Sequence, residues 1–308
     1  MRAIQTTPSF ILGLSLALFF SINNTNAQKQ LLDSVFAEVE VTTHDYTTEG
    51  DEVLQFDMYR ATIAEGALPL IVFVHGGGFS GGSRDSRDIV SFSTRLANHG
   101  YAVASVSYRL LMKGIGFGCD VPADDKIATI DAASLDISYA IQKILKQAAE
   151  FDVDRANFII AGSSAGAEVV LNMAYVYDNP ILPSDFRFAG VIGMAGAITT
   201  LDGINESTAI PTQLFHGTGD QLVPYSVAPH HYCFARDKGH LILYGSGAIA
   251  ERLKGLGTAY YLYAEPGGTH AWAGRPMSQC FAEIVDFIYH DVVNPDQTRQ
   301  TERFIKYN

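Results

Sequence analysis

Asn157-Phe158-Ile159-Ile160-Ala161-Gly162-Ser163-Ser164-Ala165-Gly166-Ala167-Glu168-Val169-Val170 is the stretch on which the fold turns. Asn157 to Ala161 is a short apolar run of the kind buried inside a sheet, and the segment AGAEVVLNMAYVY from Ala165 to Tyr177 has helical character. Between them lies only G-x-S-x-G, Gly162 to Gly166. Strand, tight turn and helix in direct succession raise the serine above the edge of the sheet, and side chains at the two glycines would collide with neighbouring backbone. Ser164 is therefore the candidate nucleophile, on a bend whose strain needs small flanking residues.

Outward from this bend, apolar strands alternate with longer helical patterns, which predicts a mostly parallel sheet with helices on both faces. Glu38 to Thr48 and Val53 to Ala61 alternate with period two across Glu49-Gly50-Asp51 and read as an antiparallel edge hairpin. Leu68 to Val74 (LPLIVFV) is a continuous apolar run, as expected of a strand buried on both faces. Further strands are expected at Tyr101 to Tyr108, Phe188 to Met194, Thr212 to His216 and Thr258 to Ala264. With Asn157 to Ala161 this makes an α/β fold with eight strands. Helices are expected near Asp85 to Asn98, Lys126 to Glu150, Ala165 to Tyr177, Leu241 to Leu256 and Met277 to Val293.

A serine hydroxyl needs a base within hydrogen-bond reach and an acid to orient that base. His270, in Glu265-Pro266-Gly267-Gly268-Thr269-His270, lies just past the last of the eight strands and is the candidate base. His230, His231 and His240 are rivals that no predicted strand delivers to the same edge. Asp220, in His216-Gly217-Thr218-Gly219-Asp220, follows the preceding strand and is the candidate acid, with Asp202 as the alternative. The chain order Ser164, Asp220, His270 is the order of the α/β-hydrolases. His75-Gly76-Gly77-Gly78 ends the central strand, where a glycine run can turn its N–H groups toward one point. An oxyanion would be held there by Gly77, Gly78 and Ala165, with Gly76 able to replace one of them.

On these motifs the chain resembles a carboxylesterase of the α/β-hydrolase superfamily, close to the hormone-sensitive-lipase-like branch with its HGGG motif. The resemblance spans about Leu68 to Val293, and the elbow reads GSSAG where that branch usually has GDSAG. It implies the α/β-hydrolase fold, an acyl-enzyme on Ser164, no cofactor, and a carboxylic ester as substrate. Export points to an external ester, either a small molecule or one linked to a polymer.

The chain has 308 residues, 47% hydrophobic and 18% charged, which excludes a disordered or fibrous protein. Met1 and Arg2 precede the apolar run Phe10 to Phe20 and a polar stretch closing at Ala27, the order of a secretory signal peptide. Eleven apolar residues are about half of what a membrane span needs, so stable insertion is not expected. Residues 28–308 would then form one hydrolase domain, secreted or periplasmic. Its formal charge of −13 argues against nucleic acid as a partner.

No Cys or His cluster has metal-ligand spacing. The cysteines are Cys119, Cys233 and Cys280. Oxidising surroundings would favour a Cys119–Cys233 bridge across two loops on one rim, with Cys280 as a small buried hydrophobe. The Gly-rich loop from Leu110 to Asp125 either lines the substrate pocket or is a disordered connection. Asn205-Glu206-Ser207 fits a glycosylation sequon. Two other functions fit the same motifs. One is a prolyl-oligopeptidase-like peptidase, and the other is a catalytically silent binding protein that keeps the fold.

Overall fold

The computed structural model describes residues 31–49, 52–64, 66–295 and 298–305. The proposed signal peptide, residues 1–27, lies outside the described residues, as do Gly50 and Asp51 of the predicted hairpin turn.

The sheet grows around the apolar strand β3 (Leu68–Val74), every residue of which is buried. Side chains alternate between faces along a strand. Leu70, Val72 and Val74 join one apolar cluster, while Ile71 and Phe73 join another on the opposite face. Two buried faces explain why the sequence reads as an unbroken apolar run.

Strands β1 (Val39–Glu49) and β2 (Glu52–Ala61) pair antiparallel at the edge, as expected. Strand β2 meets β4 (Ala102–Val106) antiparallel. From β4 the sheet runs parallel through β3, β5 (Val153–Ser163), β6 (Gly190–Met194), β8 (Thr212–Gly217), β11 (Tyr260–Glu265) and β12 (Gln300–Phe304). Among the described residues that makes nine strands rather than eight. The extra strand, β12, has the sequence QTERF and is largely exposed at the edge, so it has no apolar alternation by which to be read.

A second sheet of three short strands, β7 (Ala197–Ile198), β10 (Ile242–Gly245) and β9 (Val227–Pro229), was not expected either. The predicted helix at Leu241 to Leu256 therefore begins late, as α4 (Ser246–Leu256). Its first residues, Ile242 to Gly245, pair antiparallel with β7 and β9 instead, because a short apolar run fits either element until a partner strand is supplied.

Helices α2 (Ala123–Lys146), α3 (Ala165–Tyr175) and α4 cover one face, through residues such as Ile137, Val170 and Leu253. Helix α1 (Arg87–Asn98) covers the other, with Ile89, Phe92 and Leu96 on one stripe. It carries Asp88 in its first turn and Arg95 in its last, the charge order that complements a helix dipole. The predicted closing helix is broken into α5 (Pro276–Gln279), α6 (Phe281–Phe287) and a π-helical turn, Ile288–Val293. The break falls at Cys280, which is fully buried and lies outside the disulfide. Each fully buried aliphatic or aromatic side chain in these two layers contributes about 1.5–3 kcal/mol relative to exposure. Among the described residues no helix is long and apolar enough to cross a membrane.

Candidate active site

The bend after β5 is built as its glycines require. A Cβ on Gly162 would lie 2.3 Å from the Gly166 carbonyl oxygen, and one on Gly166 would lie 2.1 Å from that of Val74. Helix α3 therefore starts hard against the end of β3. Ser164 takes φ 53° and ψ −122°, a backbone region that L-residues adopt at a cost of about 1–3 kcal/mol. Its N–H donates to the Met194 carbonyl at 2.8 Å, fixing the bend to β6.

The loops after β8 and β11 close on this serine. Ser164 Oγ is 2.7 Å from His270 Nε2, and His270 Nδ1 is 2.7 Å from Asp220 Oδ2. Asp220 is fully buried, so its carboxylate fixes the proton on Nδ1 and leaves Nε2 to accept from the serine hydroxyl. Its other oxygen, Oδ1, accepts the N–H groups of Leu222 (2.8 Å) and Val223 (3.1 Å). Burial by itself would push the Asp220 carboxyl up. Hydrogen bonding from His216, whose Nε2 is 3.5 Å away, and from His270 holds it well below the usual carboxylate range. The two loops are zipped together, with Thr218 N–H donating to Glu265 O and Gly219 N–H to Gly268 O.

Asp202, the alternative acid, is exposed in the loop after β7, and His270 takes its carboxylate partner from Asp220 instead. His240 Nδ1 lies 3.0 Å from the Cys233 carbonyl, away from the serine. His230 and His231 correct the sequence reading. Both line the cavity beside Ser164, delivered there by β9 of the second sheet, which the sequence did not reveal.

That cavity, about 600 Å³, is also lined by Gly76, Gly77, Gly78 and Ala165. Gly77 and Gly78 have φ of 122° and 59°, and a Cβ on Gly77 would overlap the Gly81 carbonyl. A Cβ on Gly76 would lie 3.0 Å from that of Ser164, so the glycine run passes directly over the serine.

Two residues unread in the sequence support this arrangement. Ser163 Oγ donates to the Ala273 carbonyl at 2.7 Å, tying the serine bend to the turn that carries His270. The departure from GDSAG was its signal. Trp272 Nε1 donates to Glu265 Oε2 at 2.7 Å, anchoring the same turn from the other side.

The loop from Leu110 to Asp125 brings Phe117 to the cavity. Cys119 and Cys233 form a disulfide, joining this loop to the one that follows His230 and His231. Gly239 N–H to Cys119 O and Ala123 N–H to Lys238 O continue the junction. Asp237 lies close to both sulfurs, which are bonded to each other. The bridge spans 114 residues of sequence. Its removal in a Cys119→Ser/Cys233→Ser variant is expected to lower stability by about 2–5 kcal/mol. Urea titration of the variant and the oxidised parent measures this, and superimposable curves would contradict it.

A Ser–His–Asp array at the carboxyl edge of a mostly parallel sheet, reached in the chain order Ser164, Asp220, His270, is the arrangement expected on the α/β-hydrolase fold. The chain has the α/β-hydrolase fold and is similar to carboxylesterases. The BD-FAE family model matches residues 56–190. Gut esterase 1 of Caenorhabditis briggsae is 25% identical over 168 residues, 53% of this chain and 29% of that protein. The chain thus spans less than a third of the length of that relative. Carboxylesterase NlhH of Mycobacterium tuberculosis is 25% identical over 276 residues, 79% of this chain and 77% of that protein. The structure of Est2, a thermophilic esterase from Thermogutta terrifontis, superposes with a TM-score of 0.59 at 19% identity. It covers 86% of this chain and 96% of its own.

Proposed function

We propose that this protein is an exported serine hydrolase that cleaves carboxylic esters through an acyl-enzyme on Ser164. The observation that carries the reading is the unbroken line of short contacts from Ser164 Oγ through His270 to buried Asp220. Serine attack on the ester carbonyl sends its proton to His270 Nε2 while the carbonyl oxygen gathers negative charge. The N–H groups of Gly77, Gly78 and Ala165 receive that charge, each such donor being worth about 2.7–4 kcal/mol of barrier. Collapse expels the alcohol, protonated by His270, and leaves the acyl group on Ser164. Water then attacks the acyl carbon, gives its proton to Nε2 and releases the acid and the free serine.

The names of the relatives, esterases and a carboxylesterase, support esters as the substrate class. The signal-peptide pattern of residues 1–27 and the Cys119–Cys233 disulfide support an oxidising, extracytoplasmic location. The test is labelling by a fluorophosphonate probe together with hydrolysis of p-nitrophenyl acetate. Labelling mapped to Ser164 and ester turnover are expected. An unlabelled, inactive and folded protein would favour the silent binding protein, and cleavage of a prolyl peptide in place of the ester would favour the peptidase.

A further inference from the structure

The ester chemistry leaves part of the cavity wall unused. Glu168 lies four residues after Ser164, hence one turn along the same face of α3. Glu168 is 2% exposed, and among the described residues its Oε1 has no hydrogen-bond partner. His230 is 1% exposed, with Nε2 3.5 Å from that oxygen and a similarly unpartnered Nδ1. Both line the cavity that holds Ser164. Buried polar atoms left unpaired cost about 1–3 kcal/mol each, so two in one pocket wall gain by a hydrogen-bonding group that enters the pocket.

The surroundings define what that ligand is. Phe117 packs edge-on against His230, with ring centroids 5.2 Å apart, and supplies an apolar wall. Lys126 is fully buried, donates to the Gly239 carbonyl at 3.1 Å and lies 5.6 Å from the Phe117 ring. Burial pushes the Glu168 carboxyl up to about 8, against the opposing pull of Lys126. Burial, with His231 and Lys126 nearby, keeps His230 neutral. A cation would meet the Lys126 ammonium, and an anion would meet the Asp220 carboxylate. The group that suits an acceptor and a donor side by side, without charge, is a hydroxyl.

We propose that Glu168 and His230 form a subsite that reads a hydroxyl on the ester substrate, the hydroxyl donating to Glu168 and accepting from His230. The subsite rests on the hydrolase reading above and narrows its substrate to esters of hydroxylated acids or polyols. The Cys119–Cys233 bridge holds it together, since it joins the loops that carry Phe117 and His230.

Two matched pairs of esters test it: p-nitrophenyl 3-hydroxybutyrate against p-nitrophenyl butyrate, and glycerol monobutyrate against propyl butyrate. Within each pair the ratio of kcat/KM is independent of how much enzyme is folded, so a destabilised variant still reports. The parent enzyme is expected to favour the hydroxylated member of one pair by about tenfold or more, because a site that bonds a hydroxyl rejects the analogue without it. Glu168→Leu and His230→Phe should each bring that ratio toward one, and Glu168→Gln should restore part of it. A parent that distinguishes neither pair, or a preference that survives in Glu168→Leu, overturns the subsite while leaving the hydrolase intact. A parent that turns over none of the four esters overturns both.

Discussion

Ser164→Ala is expected to lower kcat for p-nitrophenyl acetate by at least about 10^4-fold, with little change in KM. The hydroxyl sits 2.7 Å from the imidazole that takes its proton, so its removal deletes the bond-forming atom and leaves the pocket walls in place. The residual rate would come from the glycine N–H groups of the cavity polarising the carbonyl for attack by water. Alanine also fits the bend, since the strained backbone depends on the glycines at 162 and 166 and on the backbone N–H bond from position 164 to Met194, all of which remain. Circular dichroism should therefore match the parent. A variant that kept a tenth of the parent's activity would mean that another group carries the acyl transfer.

Asp220→Asn is expected to cost about as much, near 10^4-fold in kcat, for a different reason. The backbone N–H groups of Leu222 and Val223 both point at one carboxylate oxygen, so they hold the amide oxygen of an asparagine at that place. The amide NH2 then faces His270 Nδ1, which carries a proton in the parent, and the ring nitrogen of His216 3.5 Å away. His270 must turn Nδ1 into the acceptor and carry its proton on Nε2, toward the serine, which is the wrong tautomer for a base. Retention of more than about one percent of kcat would show that His270 needs no such orientation.

The same substitution has a signature in stability. The folded pKa of Asp220 is depressed, so its ionised form stabilises the fold at pH values above the unfolded value of about 3.8, and this contribution fades as the pH falls. The destabilisation caused by Asp220→Asn is thus largest near neutral pH and shrinks toward about pH 3. Melting temperatures of the two proteins across that range would show it, and a constant gap would contradict the assignment of Asp220 as a stabilising carboxylate.

Much of this site was legible before the fold because its signals are local. Gly162, Ser164 and Gly166 declare themselves through a turn that admits no side chain, and LPLIVFV through burial on both faces. His270 followed from the order of strands, since a parallel sheet delivers the loops after successive strands to one edge, and the same order left Asp220 and Asp202 as acids until the contact of His270 with Asp220 chose between them. Glu168 left a faint trace, an acid set in the otherwise apolar helix AGAEVVLNMAY. His230 was legible only as a rival base, because three short strands place it, and short apolar runs carry no period that tells a strand from a helix.

The sequence by itself determined the class of fold, the serine on its bend and the partners brought to it by strand order, because these depend on residue type and on spacing along the chain. Tertiary structure alone decided the ninth strand, the second sheet and the meeting of Glu168 with His230. Those depend on which segments meet across long stretches of chain, and neither exposed edge strands nor buried polar pairs write that distance into local composition.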